Sequence, residues 1–173
     1  MSLALLPRPV WALLALLEMG FIFHLSSLPP EALADRAPGP TGNLMHVVVN
    51  AVLAFLLLMA LREERKGLAL PGLASRAGGL VLAVVVAHGV FDETHQFFTG
   101  RTCSVLDILL DAAGALLVLL APLRGGAHRP RSWRPCLVTI ILAVGLATAA
   151  WMGRPWPDRV LEEFLQSLVG SGE

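Results

Sequence analysis

The chain has no tyrosine, only two cysteines and little charge, with Asp, Glu, Lys and Arg making up 15% of its 173 residues. No mechanism here can draw on a phenol hydroxyl. Two cysteines are too few for a disulfide framework, and the topology derived below sets Cys103 and Cys136 at opposite membrane faces. Each is expected to pack as a small apolar residue. At roughly 20 apolar residues per membrane span, the chain has room for about five spans and little else, and no separate soluble domain is expected. The 13 basic and 13 acidic residues balance, which argues against nucleic acid as a partner, because that binding relies on clustered Lys and Arg.

What is present in quantity is apolar. Hydrophobic residues are 55% of the chain and mean hydropathy is +0.70. Several Leu- and Ala-rich runs approach the roughly 20 residues that cross a bilayer. The expected fold is an all-α integral membrane helical bundle. Its spans fall at about 9–28, 44–61, 77–97, 104–123 and 135–152. The first resembles a signal peptide, but a single Arg precedes it and no clean small-x-small site follows, so it reads as an uncleaved span. Pro29 and Pro30 end it, and the Pro/Gly cluster at 38–42 marks a loop. The fifth span is almost without polar side chains. After it, Val160, Leu161, Phe164, Leu165 and Leu168 recur at helical spacing opposite Glu162, Glu163 and Gln166, predicting a short amphipathic helix at the interface.

Against this background, polar residues in helical register stand out. Asn43, His46 and Asn50 share one face of the second span, at i, i+3, i+7. In the third, His88, Asp92 and Gln96 recur at i, i+4, i+8, with Glu93 and His95 beside them. Arg101 lies in the tight connection TGRTCS, and Asp107, Asp111 and Gly114 form a stripe in the fourth span. Lipid offers such groups no hydrogen bonds, so these faces should point at partner helices, and ionisable groups within a membrane are functional by default. Lys and Arg in short loops set orientation. Nine lie at the N-terminus and in the second and fourth connections, against four elsewhere. The N-terminus is therefore expected in the cytoplasm and the C-terminus outside. His46, Asp92, Glu93, Gln96, Arg101 and Asp107 then fall together in the outer half of the membrane.

The segment DETHQFFTGRTCSVLDILLDAAG resembles the VanZ-like family, small bacterial membrane proteins named for an association with glycopeptide (teicoplanin) resistance. Asp92, Glu93, Gln96, Arg101, Asp107 and Gly114 carry the resemblance, and SSLPP after the first span and His46 also look like the family. Four positions depart from it. Gly42 and Asn43 stand where members often have Asp-Lys, Asn50 where they often have Tyr, and Asp111 where Asn is common. Roles that need that lysine or tyrosine do not carry over. The resemblance implies a four-helix VanZ-like core over 1–123, followed by a basic loop and fifth transmembrane helix over 124–153 and an interfacial tail over 154–173. It also implies a bacterial inner-membrane location.

Three functional readings follow. In the first, the polar site binds or handles an anionic envelope ligand, lipid-linked or of glycopeptide type, through His46, Asp92, Glu93, Gln96, Arg101 and Asp107. Arg101 would hold a phosphate or carboxylate with its bidentate fork. In the second, the protein is a membrane-embedded hydrolase or transferase, with His46, Asp92, Glu93, His95 and Asp107 as catalytic candidates. In the third, Arg101 bridges Asp92 or Glu93 to Asp107 in an internally satisfied structural network. A divalent cation on Asp92, Glu93, His95 and Asp107 is a variant of the second reading. HxxxDExH is not HExxH, and no metal is assigned from the sequence. Membrane lipids are the expected partners.

Overall fold

A computed structural model of the chain describes residues 6–29, 40–62, 72–121, 134–151 and 156–170. These residues form six helices and no strand: α1 (Arg8–Ser26), α2 (Pro40–Leu61), α3 (Arg76–Phe98), α4 (Val105–Leu120), α5 (Arg134–Trp151) and α6 (Trp156–Gly170). The fold is the expected all-α bundle, with helix ends within a few residues of those predicted. Arg36, Arg65, Lys66, Arg124, Arg129, Arg131 and Trp133 lie outside the described residues, as do the side chains of Arg134, Trp151 and Trp156.

Local sequence sets the ends. The hydroxyl of Ser75 accepts from the Gly78 amide at 3.0 Å at the start of α3, and Ser104 Oγ accepts from the Asp107 amide at 3.2 Å at the start of α4. Helix α4 stops at Leu120 because Ala121 precedes Pro122, and a residue before proline is driven to extended backbone; its ψ is 141°.

Among the described residues, three helices are long and apolar enough to cross a membrane: α1, α2 over Asn43–Leu61, and α3. The 16 residues of α4 reach only about 24 Å, and the apolar stretch of α5 is Cys136–Gly145. Large apolar side chains face outward along these helices, among them Leu16, Leu17 and Phe21 of α1, Leu80 and Phe91 of α3, and Leu137, Ile141 and Leu142 of α5. Soluble monomers rarely expose apolar surface so continuously. Lipid tails are the solvent that this belt matches.

Helix α2 occupies the middle, packing most extensively on α4 and α1 and also touching α3 and α5. One core cluster joins Trp11, Ile22, Leu53, Leu58, Val81, Val85 and Leu119, and a second joins Val47, Leu110 and Ala113 to Ala143 and Ala147 of α5. The fifth helix is thus seated on the bundle, held also by Asn43 Nδ2 donating to Ala147 O at 3.2 Å. Close approach of α2 and α4 depends on Gly114, where an added Cβ would run into the backbone at Val47 O and Ala51 N. Cys103 and Cys136 are both buried, as expected of small packing residues. Helix α6 contacts α4. Its Leu161 and Leu165 are half-buried, while Val160, Phe164 and Leu168 stay exposed along one stripe.

The two ends of the bundle differ chemically. At one, Arg8 Nε donates to Ala60 O and Arg62 Nη2 to Leu6 O, each at 2.9 Å, tying the start of α1 to the end of α2. The C-termini of α1 and α3 and the N-termini of α2 and α4 meet at the other. All the polar stripes read from the sequence converge there.

Candidate functional site

The polar group has two halves joined by one glutamine. In the first half, His46 Nδ1 donates to Asp111 Oδ1 at 3.0 Å, and Asn50 Nδ2 donates to the same oxygen at 2.6 Å. Asn50 Nδ2 also reaches His46 O, one helical turn back, at 3.0 Å. With Nδ1 committed to Asp111, His46 presents Nε2 to Asp107, whose Oδ2 is 4.0 Å away. Glu93 completes this half from α3. Its Oε2 accepts the Ser104 amide at 2.6 Å and its Oε1 accepts Gln96 Nε2 at 2.9 Å.

The second half faces α1. Ser26 Oγ donates to Asp92 Oδ1 at 2.5 Å, and Gln96 Nε2 donates to Asp92 Oδ2 at 3.1 Å, so Gln96 links both adjacent carboxylates. Ser27 Oγ donates to Phe23 O at 2.7 Å and lies 3.0 Å from His95 Nε2, which can therefore donate to it. The His95 ring also packs on Phe23, with centroids 4.3 Å apart.

Burial separates a closed base from an open edge. Asn50, Asp92, Glu93, Gln96 and Asp111 are buried, whereas the side chains of His46 and Asp107 keep 26% and 18% of their surface. Arg101 is half-buried and Phe98 beside the connection is exposed. A ligand arriving from outside the bundle would meet His46, Asp107 and Arg101 first.

The structure brings Glu93 and Asp107 together with His46, and Asp92 with Gln96, as the sequence stripes suggest. It sends His95 to Ser27 on α1, away from His46. His88 is buried in α3, a turn before Asp92, and His24 is exposed. Arg101 also differs from expectation. Instead of bridging carboxylates, it donates Nη1 to Ser26 O at 2.6 Å and so caps the C-terminus of α1, whose last carbonyls lack helical partners. The connection after α3 places the guanidinium toward α1, a geometry that helical periodicity does not encode.

Sequence reasoning underrated four contributors: Asp111, Asn50, Ser26 and Gly89. Gly89 lies where an added Cβ would strike the Asp111 carboxylate. It shares a stripe with Glu93 and Gln96 at i, i+4, i+7, and that spacing was the available signal. Asn50 and His46, at i, i+4, were legible in the same way.

One group of potential metal ligands is recorded among the described residues: His46, Glu93 and Asp107, one donor atom each, all within 4.8 Å of one another. Two like unit charges at that separation repel by about 3 kcal/mol at an effective dielectric near 20. The cluster between α2, α3 and α4 thus favours a positive species.

Neither the curated proteins nor the solved structures include a match to this chain. The family model described as VanZ/LLP1 matches residues 8–123. That stretch takes in α1 to α4 and all the polar side chains of both halves, and the chain belongs to the VanZ/LLP1 family.

Proposed function

We propose that this VanZ-type membrane protein binds the anionic head group of an envelope ligand, lipid-linked or of glycopeptide type, at the outer leaflet. The family is generally linked to glycopeptide resistance, which fits a ligand of the cell envelope. One observation carries the reading: polar side chains from four helices converge at one end of an apolar bundle, closed beneath and open along His46, Asp107 and Arg101. Arg101 supplies charge there. A single bond to Ser26 O leaves most of its five N–H donors for a phosphate or carboxylate. The exposed Phe91 and Phe98 of α3 offer an apolar surface for the lipid part.

The test is native mass spectrometry of protein released gently from membranes, comparing wild type with Arg101→Ala. Wild type is expected to carry an anionic lipid or metabolite, and the variant to retain at least about tenfold less, as follows from losing a charge-assisted pair worth roughly 1.5–3 kcal/mol. Equal retention by two folded proteins would sink the reading. The outward placement has its own test. A reporter active only in the cytoplasm, fused after Glu173, is expected to be silent, and a signal from it would reverse the orientation.

A hydrolase or transferase acting on the same ligand class is the second reading, favoured by the Asp111–His46 pair. A carboxylate on Nδ1 fixes the tautomer that leaves Nε2 able to take a proton, as in acid–base dyads. Turnover of the bound lipid by purified protein, lost in His46→Gln, distinguishes it from binding alone.

A further inference from the structure

We propose that His46, Glu93 and Asp107 form a binding site for one divalent metal ion of the zinc or manganese class. The three residues come from α2, α3 and α4, and their donor atoms already lie within 4.8 Å of one another. Bonds of about 2.1 Å in a tetrahedral set hold ligand atoms roughly 3.4 Å apart, so about an ångström of side-chain movement closes the site. One imidazole nitrogen with two carboxylates suits zinc or manganese. Calcium and magnesium prefer sites built of oxygen alone.

A second observation comes from what holds the ligands. The ring nitrogen of His46 that faces away from Asp107 donates to Asp111 at 3.0 Å, and Asp111 is itself held by Asn50 at 2.6 Å. Both oxygens of Glu93 are oriented too, by the Ser104 amide at 2.6 Å and by Gln96 at 2.9 Å. A carboxylate on the far nitrogen of a histidine, with hydrogen-bonded acidic ligands beside it, is the outer shell that metal sites carry. The partial exposure of His46 and Asp107 leaves a side open for water or a ligand atom.

The ion also answers a difficulty in the proposed function, on which this inference rests for the identity of the ligand. Glu93, Asp107 and Asp111 would repel an anionic head group, and Arg101 is held toward α1. A divalent ion cancels two of those three charges and leaves an open coordination position at the edge, where an oxygen of the head group can bind it directly.

The experiment uses the full-length protein in detergent, stripped with a chelator and titrated with Mn2+ under electron paramagnetic resonance. The expected result is one ion per chain with a nitrogen coupling from one imidazole, displaced by Zn2+. His46→Gln should abolish the nitrogen coupling, and Asp111→Asn should weaken affinity about 10–100-fold. Ser167→Ala, on α6 and outside both halves of the polar group, should leave affinity unchanged. Folded wild-type protein that takes up no stoichiometric ion, or shows no nitrogen coupling, overturns the site. So does coupling that survives in His46→Gln.

Nanodiscs containing phosphatidylglycerol, with phosphatidylcholine as control, separate the two ideas. Chelated protein that still enriches phosphatidylglycerol as well as ion-loaded protein does would sink the ion as head-group binder and leave the proposed function standing. Ion-loaded protein with no preference for the anionic lipid would sink the proposed function and leave the metal site standing.

Discussion

Gly114→Val is expected to force α2 and α4 apart and to lower the stability of the bundle by more than any other single change considered. A Cβ at this position would contact Val47 O and Ala51 N, the latter at 2.9 Å, and both belong to backbone. Backbone in a hydrogen-bonded helix cannot step aside as a side chain can. The helices themselves must separate, and this pair is the most extensive packing in the molecule. Overpacking of a core costs typically 1–3 kcal/mol, and the two γ-methyl groups of valine place this case at about 3 kcal/mol or more. In a membrane the penalty finds little offset, because helix association there relies on close packing of small residues. Thermal unfolding in mild detergent, followed by loss of monodisperse protein, should show a graded series, with Ala lowering the midpoint less than Val. By the usual scaling, 3 kcal/mol in a chain of this size is a fall of about 10 °C. A Gly114→Val protein with the wild-type midpoint would show that α2 and α4 do not approach as described.

The same glycine shows what a sequence of this kind reveals. Gly114 stands at i+7 from Asp107 and i+3 from Asp111, so its stripe identifies the face of α4 that meets another helix. The end of α1 was legible for a similar reason, because Pro29 and Pro30 cannot continue a helix, whereas the expected fourth span ran on to 123 and α4 ends at Leu120. What periodicity cannot supply is the choice between neighbours. Asp92 and Glu93 are adjacent and point about 100° apart around α3, so one turns to Ser26 on α1 and the other to Ser104 and the His46 side. Which one faces which partner depends on how α3 is rotated in the bundle. Arg101 eluded the argument differently, because its direction is set by a short irregular connection, where no repeat exists to extrapolate. Its expected ion pairs gave way to a helix cap on Ser26. Asp111 was read only as part of the α4 stripe, yet His46 and Asn50 reach it from one face of α2.

Gly89 tests the site without testing the fold, and this contrast with Gly114 makes Gly89→Ala the more informative substitution. The atom its Cβ would strike is Asp111 Oδ2, the far end of a side chain. A rotation of that carboxylate relieves the clash, so α3 and α4 keep their packing. The rotation has a chemical cost instead. Asp111 Oδ1 receives both His46 Nδ1 and Asn50 Nδ2, and moving it releases the imidazole from the orientation that aims Nε2 at Asp107. Disturbing a carboxylate that orients a functional histidine typically loses 10–100-fold in affinity or activity. Gly89→Ala is therefore expected to melt within a few degrees of wild type while retaining about 10–100-fold less bound anionic lipid by native mass spectrometry. Gly89→Leu should lose stability as well, because its longer side chain cannot be cleared by one carboxylate. If Gly89→Ala binds lipid as wild type does, the Asp111–His46 contact is packing alone and the ligand reads Arg101 without it. If it melts as low as Gly114→Val, Asp111 is held too rigidly to rotate, and the polar group is a structural joint between α3 and α4.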